Sequence, residues 1–214
     1  MPTLSEIFSN GFEEGNFSAW TGVADNGGAP ESSVILAAAR SGSYGARLRM
    51  VTDTSGNDVW IYKTVSNSPK WVRITAYLKV IEGTKYYWTS YLTLKTAAGE
   101  TIWIGVNDFN CITRRADGSV INSNVGLAQN TWYKLMIEYD QYNNLLSWEI
   151  EGVWSGSTDP ATSSEITEFQ LRTGASQPHP STCYWDDVKH YDESSAPPPP
   201  PPVLPTLTGV YDCH

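Results

Sequence analysis

Charge is scarce in this 214-residue chain, where only 17% of residues are Asp, Glu, Lys or Arg. Bases are outnumbered, 14 Lys and Arg against 23 Asp and Glu, for a net charge of −9. No stretch concentrates Lys or Arg, which argues against a nucleic-acid partner, because binding a phosphate backbone needs clustered positive charge. Long apolar runs are missing too. None approaches the roughly 20 residues that carry a helix across a bilayer, so membrane insertion by a helix is not expected. Residues 1–10 show no basic region followed by an apolar stretch. The expectation is either a leader already removed or exit from the cell by another route, such as on a virus particle.

Cysteine is limited to Cys111, Cys183 and Cys213. An odd number allows one disulfide and a leftover thiol, or three free thiols, and spacing does not decide between them. No Cys-x-x-Cys pattern offers a structural zinc site. The three histidines, His179, His190 and His214, are scattered and assemble no catalytic base.

Hydrophobic residues make up 40% of the chain, including 9 Trp and 12 Tyr, and they follow the two-residue period of strands. Across residues 70–81, Val72, Ile74, Ala76, Leu78 and Val80 alternate with Trp71, Arg73, Thr75, Tyr77 and Lys79. Such alternation predicts a half-buried strand. Residues 86–95 alternate likewise, with Leu92 and Leu94 opposed to Tyr87, Tyr91 and Thr93. Further inward sets are Ile102, Ile104 and Val106; Tyr133, Leu135, Ile137 and Tyr139; and Leu146, Trp148 and Ile150. Residues 46–52, 58–65, 111–116, 168–173 and 182–191 are strand candidates as well. Turn chemistry at Ala98-Gly99, Asp117-Gly118 and Asn143-Asn144 separates several of these runs. The pattern predicts an all-β, two-sheet antiparallel sandwich with jelly-roll topology over residues 1–193.

Residues 194–202 end in six prolines, Pro197 to Pro202. Such a run is a stiff polyproline II rod, roughly 19 Å long at about 3.1 Å per residue. Residues 203–214 are too few for a domain and read as an anchoring tail that adds a strand to a neighbour or plugs a groove.

Three motifs occur in order: Asn10-Gly11-Phe12-Glu13-Glu14-Gly15-Asn16-Phe17-Ser18-Ala19-Trp20, Arg40-Ser41-Gly42-Ser43-Tyr44-Gly45-Ala46-Arg47-Leu48, and Tyr184-Trp185-Asp186-Asp187-Val188. Together they resemble the calcium-stabilised jelly-roll carbohydrate-binding modules of cellulases and xylanases. A fourth stretch, Asn130-Thr131-Trp132-Tyr133-Lys134-Leu135 through Tyr142-Asn143-Asn144-Leu145 to Glu151-Gly152, resembles laminin-G-like, concanavalin-like sandwiches. The resemblance covers roughly residues 5–193 and implies a structural calcium between the first and last strands. Calcium takes about six to eight oxygens. The matching positions are Glu13 and Asp186 as side-chain ligands, with carbonyls near Gly11 and Gly45.

The outward positions of the candidate strands are rich in rings: Trp60, Tyr62, Trp71, Tyr77, Tyr87, Tyr91 and Trp103. Flat apolar sugar faces suit such rings, and Arg73, Thr75, Thr89 and Asp108 add hydrogen-bonding partners. The expected ligand-binding set is therefore Trp60, Tyr62, Arg73, Tyr77, Tyr87, Tyr91 and Trp103. Protein contact is the open alternative, since interfaces favour the same rings. A hydrolase needs two carboxyls roughly 5–10 Å apart. The alternate-residue pairs Glu138/Asp140 and Glu149/Glu151 offer candidates, but both oppose buried positions as ordinary solvent-facing acids do.

The expected function is a non-catalytic glycan-binding or adhesion module, extracellular or on a virion surface, displayed through its Pro-rich tail. A purely structural decoration protein of a phage virion or extracellular filament is the first alternative. A polysaccharide-degrading glucanase or lyase is the second. Expected partners are a polysaccharide or surface glycan, with a scaffold or a second copy held by the tail.

Overall fold

The computed structural model of the chain describes residues 3–27, 30–51, 57–82, 88–107, 110–175 and 180–193. Tyr87, Asp108, His179, the proline rod and the tail with Cys213 and His214 lie outside these residues.

The alternation read from the sequence becomes the core directly. In β6 (Trp71–Glu82) Val72, Ile74, Ala76 and Leu78 are fully buried and Val80 is 2% exposed. Its neighbours on either side are β11 (Trp132–Asp140) and β15 (Ser181–Asp192). These point Leu135, Ile137, Cys183, Trp185 and Val188 into the same layer. β12 (Leu145–Ile150) and β13 (Trp154–Thr158) extend this sheet beyond β11, and β4 (Gly45–Met50) and β3 (Pro30–Ile35) extend it beyond β15. β1 (Ser5–Asn10) pairs with the C-terminal half of β15, completing eight strands.

The second sheet has seven strands. In sheet order they are β10 (Val120–Asn122), β9 (Asn110–Arg114), β8 (Thr101–Asn107), β7 (Trp88–Thr96), β14 (Ile166–Ala175), β5 (Asn57–Thr64) and β2 (Gly22–Asp25). All pairings in both sheets are antiparallel, and β14 packs across onto β4 and β15. Val59, Ile61, Leu92, Leu94, Ile102, Ile104, Val106, Phe169 and Leu171 line the inner face of the second sheet, each at most 1% exposed. Apart from one 3-10 turn at Leu36–Ala38, the described residues hold no helix. The result is an all-β jelly-roll sandwich.

Its open end is closed by the first aromatic motif. Phe12 is fully buried and stacks parallel to Trp20 at 5.7 Å. The Trp20 indole N–H donates to Asn10 Oδ1 at 3.0 Å, which lets a polar ring edge be buried without loss. Phe12 holds a left-handed φ of 61° to reach this position. Such a backbone costs of order 1–3 kcal/mol, and burying a Phe side chain returns about as much.

Sequence alternation missed β1, whose period is broken by a register shift between Glu6 and Phe8, and β2, β3, β10 and β13. β2 and β10 are short edge strands, and all six residues of β3 are half-buried, so no period appears. β13, Trp-Ser-Gly-Ser-Thr, has little apolar content to alternate. One expected exposure also changes, though not the side. Thr93, expected to face outward, is fully buried although its parity is outward. It and Gln170, 3% exposed, sit in one cross-strand row between Tyr62 and Trp103.

Candidate functional site

Register fixes which outward residues meet. On the seven-stranded sheet Trp60 pairs with Arg172, which pairs with Tyr91, which pairs with Gly105. The next row runs Tyr62, Gln170, Thr93, Trp103. Four of the expected ligand residues therefore share one outer face. From β5 to β8 is three strand spacings, about 14 Å, which suits an extended chain better than a compact ligand.

Two ring groups flank a polar strip on this face. Tyr91 and Trp103 lie 4.2 Å apart at an interplanar angle of 37°. Across β14, the Arg172 guanidinium lies 4.8 Å from the centre of the Trp60 ring. Arg172 also pairs with Asp58 and donates to Gln170 at 3.2 Å, and Gln170 in turn donates to Glu168. These bonds fix side chains that would otherwise lose rotamer freedom on binding. Tyr62 lies over Gly22, where a Cβ would stand 2.8 Å from its hydroxyl. Glycine is needed there for the ring to lie flat along the edge strand.

Arg73 and Tyr77 are elsewhere. Both belong to β6 and project from the eight-stranded sheet, on the opposite side of the sandwich. The seven-residue set cannot form one cleft, because alternation tells inside from outside but not one sheet from the other. The side chain of Thr89, like Tyr87 and Asp108, lies outside the described residues.

A shallow groove crosses the outer face of the eight-stranded sheet. One depression of ≈ 410 Å3 is lined by Arg40, Arg73, Tyr77, Lys134, Lys189 and Tyr191 among others. A second, of ≈ 320 Å3, shares Arg73, Thr75 and Lys134 and ends at Glu149 and Glu151. Sequence reasoning missed Arg40, Lys134, Lys189 and Tyr191 because they come from three separate segments that only the sheet order unites.

The candidate acids separate in role. Glu138 accepts the Trp71 indole N–H at 2.8 Å and is bridged by Arg73 at 2.5 Å. Asp140, 6% exposed, accepts the backbone N–H of Asn143 at 3.1 Å and caps the β11–β12 turn. Glu149 and Glu151 are exposed at the end of the groove. His190 is buried between the sheets, its ring 5.4 Å from that of Phe169, and cannot reach a surface substrate.

Of the expected metal set, Gly11, Glu13 and Asp186 lie together. A Cβ at Gly11 would lie 3.7 Å from both Asp186 and Asp187 and 3.9 Å from Glu13. Gly45 opens β4 where a Cβ would strike the Ala38 carbonyl, 2.0 Å away, so only glycine fits. The carboxylates, however, face N–H donors. Glu13 accepts the backbone N–H of Ser43 at 2.9 Å and of Tyr44 at 3.2 Å. Asp186 accepts those of Arg40, Ser41 and Asp187 at 2.7, 3.1 and 2.8 Å. Burial nevertheless pushes its carboxyl above the usual aspartate value. A bulge in β15 with Asp187 at φ 49° turns that residue outward, where Arg40 and Ser41 bond it at 2.6 and 2.8 Å. Among the described residues no group of three or more His, Cys, Asp and Glu side chains could hold a metal ion. In this arrangement both carboxylates spend their oxygens chiefly on backbone N–H donors, whereas a calcium cage needs about six to eight oxygens converging on one point.

Cys111 and Cys183 are both free and buried.

The fold has known relatives. Three solved structures align over most of their own length. The cellulose-induced protein Cip1 superposes with a TM-score of 0.65 at 14% identity, covering 86% of this chain and 96% of that one. An endo-β-1,4-glucuronan lyase from the fungus Trichoderma reesei gives 0.61 at 11%, covering 90% and 100%. The CBM2 module of the evolved Dit protein of Lactobacillus casei BL23 phage J-1 gives 0.55 at 13%, covering 89% and 96%. No protein-family model matches the sequence, and no curated protein matches it significantly. At these identities the likeness is one of fold, and function has to be argued from the residues.

Proposed function

We propose that the chain is a non-catalytic glycan-binding module whose ligand lies along the outer face of the seven-stranded sheet. The observation that carries this reading is the placement of Trp60 on one side of β14 and the Tyr91–Trp103 pair on the other, with the Arg172–Gln170 strip between them. Rings stack on sugar faces while the guanidinium bonds the hydroxyls around them, and the buried Gln170 holds Arg172 in place beneath. Carbohydrate-related proteins among the structures of similar fold support the same reading. The non-catalytic part rests on the acids. Glu138 and Asp140 are both committed to structural bonds, and the described histidine is buried.

The setting that goes with this function is extracellular or on a particle surface, with the proline rod and tail as the mount. A phage protein among the fold relatives supports it. Affinity gels containing soluble β-glucans or xylans test the function. The intact chain is expected to be retarded without releasing sugar fragments, and Trp60→Ala to lose the retardation. Equal migration of the intact chain in every polysaccharide would reject the reading. Fragments released by the intact chain would reject its non-catalytic half. Truncation at Ala196 should leave retardation unchanged while abolishing attachment to the scaffold.

A further inference from the structure

The groove on the opposite face has a different chemistry from the aromatic platform. Three cross-strand rows build its floor: Tyr191 beside Arg73, Lys189 beside Thr75 and Met136, and Tyr77 beside Lys134. Arg40 reaches in from the loop before β4 and stacks on Tyr77, its guanidinium carbon 3.5 Å from the ring centre. Three of its four cations are held in place by acids, Lys189 by Glu6 at 3.0 Å. Arg40 is bonded to Asp187 at 2.6 Å. Arg73 bonds Glu138 through Nε at 2.6 Å and Nη2 at 2.5 Å, which leaves its remaining edge to the groove. The Arg73 side chain is 42% exposed and Glu138 only 15%, so the guanidinium is the part presented to a ligand.

Lys134 differs. It lines both depressions and pairs with no acid among the described residues. The hydroxyls of Thr75, Tyr77 and Tyr191 likewise donate to no acceptor among those residues. Glu149 and Glu151 line the same depression, yet no carboxylate among the described residues stands within ion-pair distance of this ammonium. A ligand that brings its own negative charge would complete the site.

We propose that this groove is a second binding site, selective for an acidic saccharide whose carboxylate sits among Arg73, Lys134 and Arg40. The lining decides the class of anion. Glu149 and Glu151 close one end and Asp187 lies at the other, so a densely charged polyanion such as nucleic acid meets repulsion at both ends. A uronate unit carries a single carboxylate on a ring of hydroxyls. Its charge meets the cations, and its hydroxyls reach Glu149, Glu151 and the tyrosine hydroxyls. The larger depression, ≈ 410 Å3, falls in the range of about 300–1,000 Å3 typical of small-ligand sites. This proposal is independent of the aromatic-face reading, because the two surfaces belong to different sheets.

The test is isothermal titration of the full chain with polygalacturonate and with its fully methyl-esterified, neutral counterpart. The acidic polymer is expected to bind and the ester not to bind. Lys134→Gln should weaken binding about 10- to 100-fold, as loss of a charged hydrogen bond does. Lys134→Arg should restore it, and Trp60→Ala should leave it unchanged. Lys134 is a half-buried outer-face residue, and an unchanged melting temperature in both variants will show that the fold is kept. Absence of binding, equal binding of acid and ester, or full affinity in Lys134→Gln would each overturn the proposal. Loss of polygalacturonate binding in Trp60→Ala would also overturn it, by moving the ligand to the other sheet.

Discussion

His190 is a residue whose charge state is governed by its burial. It is 3% exposed, with Nε2 3.4 Å from a carboxylate oxygen of Asp192, itself 1% exposed. Desolvation holds the imidazole below its ordinary value of 6.5, and the nearby carboxylate opposes this without reversing it. The unfolded chain therefore takes up a proton near pH 6.5 that the folded chain refuses. Stability is fully present above that pH and is lost as pH falls through it towards the depressed folded value. Asp186 works in the opposite sense, since its raised carboxyl relieves a burial cost as pH falls through its own folded value. Melting temperature should fall between pH 7 and 5.5 in the wild type and fall less in His190→Gln; identical slopes would contradict this. Cys111 and Cys183 follow the same logic. Burial pushes both thiols up to about 11, so neither is a thiolate at neutral pH. In a Cys213→Ser variant a thiol reagent should find no reactive group in the native chain and two after denaturation. Rapid native reaction would show that one of these strands opens.

At the scale of strands and loops, the edge between β1 and β15 was partly legible in the sequence. Gly11, Glu13 and Asp186 come together, because order along the chain and the resemblance both place the first and last strands together. What the two carboxylates bind was not legible. Their partners are backbone N–H groups of residues 40, 41, 43, 44 and 187, and a backbone donor leaves no mark in residue type. A chelator is accordingly expected to leave the melting temperature unchanged, because only a ligand bound to the folded state adds stability. A fall of several degrees on chelation would return the edge to calcium. Removing an acid should matter more: Asp186→Ala strands three part-buried N–H donors and should cost about 1–3 kcal/mol by denaturant unfolding. β6 was legible for a related reason, since over residues 71–80 each inward residue is apolar and each outward one polar or aromatic. β3 and β13 were not, because half-burial on both faces and a Ser-Gly-rich sequence both erase the period.

For the whole molecule, the outcome is a sandwich with two unlike outer surfaces. Parity correctly placed Trp60, Tyr62, Tyr91 and Trp103 outside, and Arg73 and Tyr77 as well. Sheet membership is decided by long-range pairing, β6 with β11 and β15, β7 with β8 and β14. That pairing is what divided the expected cleft into an aromatic platform and a cationic groove. The central claim is that neutral glycan lies on the platform. Truncating a ring that anchors a ligand typically costs 2 kcal/mol or more, so Trp60→Ala should weaken glucan or xylan binding by about 30-fold. The most direct measurement is a heteronuclear NMR titration that follows the indole N–H signals while a neutral β-glucan or xylan oligosaccharide is added. Trp60 and Trp103 should shift together and saturate, while Trp71 and Trp132, on the opposite sheet, stay fixed. Shifts confined to Trp71 and Trp132, or none at any indole, would contradict it.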